Sequence, residues 1–555
     1  MLIPTKNLMK QSFFIFISIF SLHQFIAQEN SISKPKLIVG IVVDQMCYDY
    51  LYRYNSKFGE NGFKKLLKGG TNCENTQYNY VPTFTGPGHA SIYTGTTPSN
   101  HGIVANDWYD RTLKKERNCV ADTNVKSVGT TSNEGKTSPI NLKSNTITDQ
   151  LKLTYAQSKV ISISIKDRSA ILPGGHLSDG SYWFDYQTGN FITSTFYKEK
   201  LPTWVEDFNK EKQATNYLKQ TWNTLLPIEK YTESGEDNSP YEVKLASKKT
   251  PEFPYNFKEL NKGATNFDLF TITPFANTFL ADFALKALKS EKLGEDEFSD
   301  ILAISFSTPD IVGHAFGPYS IEIEDIYLRL DLEIEKILTE LEKTIGKDNF
   351  VLFLTADHAV VPVPQYLVDK KLPGGYVFMT EIQEELNKEL TLKFGFPLVE
   401  EITNDNIYLD RKTILEKNIN SKKVQVAIKS ILQTKKGIKK IYTEEDLNAD
   451  NFSDEWLTMV KKGYLYHESG DLIFLLEPGY LPKSKLSETT HTGTSHGSAF
   501  NYDTHVPLIW YGKNIPAQSI FRRINITDIT ATLAPILKLQ RPNATTGEVI
   551  LELFK

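Results

Sequence analysis

Apolar, β-branched runs alternate with helix-periodic stretches along most of the chain. This is the pattern of a parallel sheet buried on both faces and covered by helices. Five runs stand out: Leu37–Val43, Val160–Ile165, Ile301–Phe306, Val351–Thr355 and Val506–Trp510. Each is short, apolar at consecutive positions and flanked by polar or turn-forming residues, which predicts a buried strand. Ile321 to Lys343 places apolar residues at helical spacing and predicts one long amphipathic helix with no catalytic content. The expected fold class is α/β, with a central, mostly parallel sheet flanked by helices.

Two stretches depart from the pattern. Residues from about 201 to 267 are rich in Lys, Glu, Asn, Pro and Tyr and predict an irregular surface insertion. Residues from about 364 to 486 alternate amphipathic helix (Glu381–Leu392) with short strands such as Asp471–Leu476, and predict a smaller α+β cap. No internal repeat is visible.

The first 27 residues read differently again. Lys6 and Lys10 precede an apolar run from Phe13 to Leu22, with a small residue at Ala27. That order is signal-peptide grammar, and Ser21, His23 and Gln24 interrupt it too early for a membrane span. Residues 1–27 are therefore expected to direct export, to a periplasmic or secreted destination. No Cys follows to carry a lipid, so no stable membrane anchor is expected, and residues 28–555 form the catalytic domain.

Composition narrows the picture further. A chain of 555 residues that is 40% hydrophobic and 23% charged is an ordinary globular protein, not a disordered, collagen-like or coiled-coil one. The formal charge of −5 becomes more negative once Lys6 and Lys10 leave, so no nucleic-acid partner is expected. Three cysteines are too few for a disulfide scaffold. Cys73 and Cys119 are either a bonded pair or two buried thiols, and neither reading touches function.

The chemistry gathers at strand ends. The first run ends at Asp44, the second at Lys166 and Arg168, the third runs into Asp310, and the fourth into Asp357 and His358. In open α/β sheets, ligands bind outside the carboxyl ends of the strands. A single Asp there is usually a turn former or helix cap, but four strand ends bearing such groups are not explained that way.

Thr85 lies in the segment Val81-Pro82-Thr83-Phe84-Thr85-Gly86-Pro87-Gly88-His89-Ala90, which predicts a tight turn into a helix. A hydroxyl there sits where helix N–H groups favour an anion. A capping threonine fits this segment equally well, and a plain hydroxyl needs a base or metal to become a nucleophile.

Six residues have metal-ligand chemistry. Asp310 and His314 are four apart on a helical turn, Asp357 and His358 are adjacent, and Asp44 and His496 complete the set. Mixed Asp and His ligation suits zinc, and three ligands per ion leave an open position. His491 competes with His496 for the last place. His89 and His101 lie near Thr85, where they could pack or hydrogen-bond around the helix.

Taken together, Asp44, Thr85 in Thr-Phe-Thr-Gly-Pro-Gly-His, Asn106 in Ala-Asn-Asp-Trp, Asp310/His314, Asp357/His358 and His496 resemble the alkaline phosphatase superfamily. Lys166-Asp167-Arg168 narrows the resemblance to the PafA-type single-chain monoesterases. It spans roughly Leu37 to Tyr511. The resemblance implies two zinc ions, one on Asp310, His314 and His496, the other on Asp44, Asp357 and His358. It implies that Thr85 is the nucleophile and touches metal, and that Asn106, Lys166 and Arg168 contact the phosphoryl group. The implied activity is hydrolysis of small-molecule phosphate monoesters through a phosphothreonine, by a monomer.

Three other functions compete. A phosphodiesterase or nucleotide pyrophosphatase of the same superfamily would share the metals and Thr85 but would not need Lys166 and Arg168. A sulfatase would need a Cys or Ser in a Cys/Ser-x-Pro-x-Arg context, which Thr85 does not occupy. An exported binding protein without catalysis would tolerate loss of every metal ligand.

Overall fold

Ten strands form the central sheet of the computed structural model, which describes residues 34–449, 453–487 and 491–554. The expected signal peptide, residues 1–27, lies outside the described residues. Across the sheet the order is Gln518–Ile520, Thr71–Cys73, Leu508–Gly512, Phe350–Thr355, Leu37–Val43, Asp300–Phe306, Val160–Ser164, Gly180–Asp185, Asn190–Ser194 and Ser127–Val128. The middle five, from Phe350–Thr355 to Gly180–Asp185, run parallel, as the apolar runs of the first four predict; Gly180–Asp185 was not among the expected strands.

Register carries function here. Val43 pairs with Phe306, Val42 with Thr355, and Ser164 with Ser305, so these four strands finish level with one another. Asp44, Lys166, Asp310 and Asp357 all follow within a few residues of that common edge.

The fifth predicted strand needs correction. It forms at Leu508–Gly512, runs antiparallel to Phe350–Thr355, and starts after Pro507. Proline has no N–H to give a ladder, and Val506 instead pairs with Thr76 in a separate three-stranded sheet.

Helix Thr85–Thr94 packs against the sheet with all ten residues buried. Gly40 permits that approach, because a Cβ there would come 2.4 Å from the Tyr93 hydroxyl and 2.6 Å from Phe353 Cζ.

The 201–267 segment has little regular structure, as its composition predicts, but it is not confined to the surface. Trp222, Tyr255 and Phe257 are fully buried within the main core. Its polar groups meet the helix Ile321–Thr344, whose Glu322, Glu324 and Asp325 are themselves fully buried.

The second insertion carries its own four-stranded antiparallel sheet, ordered Val399–Thr403, Asn406–Leu409, Leu472–Leu476, Ile438–Thr443. Helices Met379–Phe394 and Ser421–Leu432 cover it, around Leu386, Ile407, Ile428 and Phe474. Polar ties fasten it to the main body: Trp108 Nε1 donates to Glu468 Oε2 at 2.9 Å, and Arg111 Nη2 to Asp471 Oδ2 at 2.9 Å. All three cysteines are free thiols, Cys73 and Cys119 fully buried.

Candidate active site and metal centre

Thr85 opens its helix, preceded by Phe84 in extended conformation, and is almost fully buried. The next amide, Gly86 N–H, donates to Asn106 Oδ1 at 2.7 Å, which leaves the Asn106 amide hydrogens for another acceptor. Gly88, one turn on, lets the helix press against the Asp357 turn, since a Cβ would come 2.3 Å from the Asp357 carbonyl oxygen.

The six expected ligands converge on that helix start. Asp44, Asp357 and His358 present ligand atoms within 4.8 Å of one another, and so do Asp310, His358 and His496. His358 thus stands between both groups, and its Nε2 lies 3.5 Å from Thr85 Oγ1. His314 joins through Asp310, its Nε2 3.1 Å from Asp310 Oδ1 and its ring 5.1 Å from that of His496. His491 lies elsewhere, edge-on to Tyr376.

The three histidines share one anchoring device. The Nδ1 atoms of His314, His358 and His496 lie 2.8, 3.0 and 2.8 Å from the carbonyl oxygens of Thr494, Ala359 and Thr83. An Nδ1–H bonded in this way turns each Nε2 lone pair inward, the tautomer a metal ligand needs.

Electrostatics favour the neutral ring at two of the three. Burial, reinforced by the neighbouring His358, holds His496 well below the usual imidazole range, and burial also lowers His358. Burial alone would lower His314, but the Asp310 carboxylate beside it raises it.

The carboxylates also fit a metal. Burial and the nearby Asp310 push Asp44 up, whereas in Asp310 the His314 and Lys166 charges override burial and hold it low. Asp44 Oδ1 and Asp357 Oδ2 are buried without a hydrogen-bond partner. Orphaned carboxylate oxygens in a dry site are costly unless a cation meets them. With inward imidazoles beside them, the donor set matches zinc better than an oxygen-only ion.

Lys166 bridges the two groups. Its Nζ donates to Asp44 Oδ2 at 2.7 Å and to Asp310 Oδ2 at 2.5 Å. Arg168 is the second residue of the helix Asp167–Gly174, which Lys166 precedes, and its Nη1 is 3.8 Å from Asp167 Oδ1, beyond hydrogen-bond range.

Gln45 was not among the expected residues. Its side-chain Nε2 donates to Asp310 Oδ1 at 2.6 Å and its N–H to Asp357 Oδ1 at 3.2 Å, so it touches one carboxylate of each group. It adopts a left-handed φ of 67°, uncommon for a residue with a side chain. Nothing in the sequence marks a lone Gln for this task. His89 does hydrogen-bond around the helix: Nδ1 lies 2.9 Å from the Thr85 carbonyl oxygen, and Nε2 lies 2.8 Å from Ser305 Oγ.

Comparison with known proteins follows the same lines. The family model for type I phosphodiesterase / nucleotide pyrophosphatase matches residues 38–499. The chain is 41% identical to the alkaline phosphatase PhoV of Synechococcus elongatus, over 95% of this chain and 94% of that one. It is 41% identical to the alkaline phosphatase PafA of Elizabethkingia meningoseptica over 95% of each chain. The PafA crystal structure superimposes with a TM-score of 0.90, covering 94% of this chain and 99% of that one. A third relative, from Myroides odoratus, is named a calcium-transporting ATPase and is 41% identical over 94% of this chain and 95% of that one. The expected α/β architecture is thus shared with PafA. The chain belongs to the type I phosphodiesterase / nucleotide pyrophosphatase family, within the alkaline phosphatase superfamily.

Proposed function

We propose that the chain is a two-zinc hydrolase of phosphate monoesters that works through a phosphothreonine at Thr85. Two relatives that match nearly its whole length are named alkaline phosphatases, which supports the reaction class. The observation that carries the choice of monoester is Lys166, poised between the two ligand groups with Arg168 two residues on.

Zinc bound by these ligands would supply Lewis acidity, lowering the pKa of hydroxyl groups and offsetting negative charge on oxygen. Thr85 Oγ1 forms a bond to phosphorus as the bond to the alcohol oxygen breaks. Water then attacks the phosphothreonine and frees Thr85 and inorganic phosphate. The Asn106 amide, Lys166 and Arg168 hold the non-bridging oxygens, Arg168 being suited to a bidentate contact. A monoester dianion uses both cations, whereas a diester carries an organic group at the third position. The family description names diesterases, but a diester leaves one of these charges without a task. Among the described residues, no helix is long and apolar enough to cross a membrane, so the transporter name of one relative gains no support here. Residues 1–27 support an exported enzyme.

The decisive test compares kcat/KM for a matched aryl monoester and diester in wild type and in Lys166→Ala/Arg168→Ala. Monoester turnover should fall by about 10²–10⁴, from charge-assisted bonds of roughly 1.5–3 kcal/mol each, and diester turnover much less. Equal losses on both esters would remove the monoesterase reading. Acid-quenched enzyme should carry phosphate on Thr85 by mass spectrometry.

A further inference from the structure

A cavity of about 330 Å³ opens beside the ligand cluster, between the main body and the second insertion. It is lined by Asn106, His314 and His496 but not by Asp44, Asp357 or His358, so it meets only one of the two ligand groups. Phe84, the residue before Thr85, and Asn106 line the same space, so an ester held at Thr85 has it open to its alcohol half. His314, with 37% of its side chain exposed, is the ligand that faces this space.

Aromatic and aliphatic side chains share the walls with polar ones. Phe84 stands edge-on to His496 with ring centres 5.6 Å apart. Opposite, Trp456 of the insertion meets Phe500 edge-on at 5.1 Å. Leu475, Leu476, Tyr480 and Leu481 of the insertion line it as well.

The charged groups lining this space are acidic. Asp107 and Asp405 come from either side of the boundary, and among the described lining residues none is Lys or Arg. Asp405 sits at the tip of the hairpin joining Val399–Thr403 to Asn406–Leu409, in a left-handed conformation with φ 59°. Its Oδ1 is buried and accepts no hydrogen bond. The tip is held in place by Asn404 Nδ2, which donates to the Asp107 carbonyl oxygen at 2.5 Å. Lys439 lies 5.9 Å from the Trp456 ring and is already paired with Glu477 at 3.1 Å.

We propose that this cavity holds the alcohol half of the ester, and that Trp456 and Asp405 make it select uncharged or cationic aromatic alcohols over anionic ones. The proposal deepens the monoesterase reading and rests on it. An aromatic ring gains contact area against Trp456, Phe500 and Phe84, and a cationic substituent gains from both the ring faces and the carboxylates. Burial pushes the Asp405 carboxyl up to about 7, so above that pH an anionic substituent meets like charge and no Lys or Arg to pair with, which is selection by repulsion as much as by attraction.

The test uses the zinc-loaded full chain and two substrate ratios, which cancel differences in protein quality. The first is kcat/KM for 4-carbamoylphenyl phosphate over 4-carboxyphenyl phosphate. It should favour the amide by about tenfold in wild type and shrink to about threefold or less in Asp405→Asn. The second is kcat/KM for phenyl phosphate over methyl phosphate, which should fall about tenfold in Trp456→Ala relative to wild type. An amide-to-acid ratio identical in wild type and Asp405→Asn, or a Trp456→Ala loss equal on phenyl and methyl phosphate, would overturn the proposal. Failure of the monoesterase reading looks different, as hydrolysis of diesters alone. The same ratios on the corresponding diesters would then decide the cavity's role.

Discussion

The imidazole of His101 is fully buried against the helix that begins at Thr85. Its Nδ1 accepts the Ile103 N–H at 3.2 Å, and its Nε2 lies 3.0 Å from Ser91 Oγ on that helix. The ring is therefore neutral with its proton on Nε2, and a second proton would break the Ile103 bond. Burial pushes its pKa down from 6.5 to about 3. A base whose folded pKa is depressed contributes stability that is complete above its unfolded pKa. That contribution is lost as pH falls from about 6.5 towards 3. At pH 5 the loss is about 2 kcal/mol. His101→Asn keeps an acceptor near Ile103 without a titrating group. Denaturant unfolding of wild type should therefore lose about 2 kcal/mol more than the variant between pH 7.5 and pH 5. Taking the difference between the two proteins cancels acid loss of metal, and identical slopes would show that His101 does not titrate in this window.

At the level of elements, the helix Ile321–Thr344 shows where an amphipathic pattern misleads. Its apolar stripe is legible and its limits match the expected Ile321–Lys343 within a residue. Its acidic face reads as solvated, yet Asp325 is buried and accepts four bonds. The donors are Trp222 Nε1 at 2.6 Å, the Leu225 N–H at 2.6 Å, the Tyr231 hydroxyl at 2.5 Å and Arg329 Nε at 2.6 Å. Three of those donors belong to the 201–267 segment, so this carboxylate is what docks the segment. Asp325→Ala would strand them at roughly 1–3 kcal/mol for each buried donor. A loss of about 3–5 kcal/mol is expected in chemical unfolding, and a loss under 1 kcal/mol would mean that the apolar contacts of Trp222 and Tyr255 hold the segment alone. The central strands were legible because all of Leu37–Val43, Asp300–Phe306 and Phe350–Thr355 is buried, and two-sided burial selects continuous apolar runs. Gly180–Asp185 and Asn190–Ser194 escaped notice because polar residues interrupt their apolar ones; in the fold Thr193 Oγ1 donates to the Ser181 carbonyl at 2.7 Å. The candidate ligands Asp44, Asp310, Asp357 and His358, which the structure brings together, were legible as chemistry at strand ends. Gln45 was not, because its role depends on a left-handed turn between two carboxylates that lie 265 and 312 residues away in sequence.

Over the whole molecule, the site is the place where the fold concentrates charge that its own residues do not balance. Asp44, Asp310 and Asp357 are buried at one edge of the sheet, and Lys166 donates hydrogen bonds to the first two. Two negative charges are left for Arg168 and bound cations to meet. Burial of such a cluster is unfavourable by itself, and the main core around it supplies the stability that keeps it in place. Two divalent ions would reverse the sign of the pocket and leave it positive, which is what a phosphate dianion requires. Metal binding is then part of folding free energy, since the ligand sets come from strands and loops that meet only in the native chain. Removing metal should abolish hydrolysis and lower the thermal midpoint together, and zinc should restore both. Calcium should restore neither, because three of the six ligands are histidines. His496→Ala should lose metal from one group and keep it in the other, whereas His491→Ala should keep both, as its ring sits by Tyr376 away from the carboxylates. The measurement is metal content per chain by mass spectrometry, with activity and the unfolding midpoint followed on the same samples. Purified protein containing calcium and no zinc, or equal metal content in the two histidine variants, would break the link between this charge imbalance and catalysis.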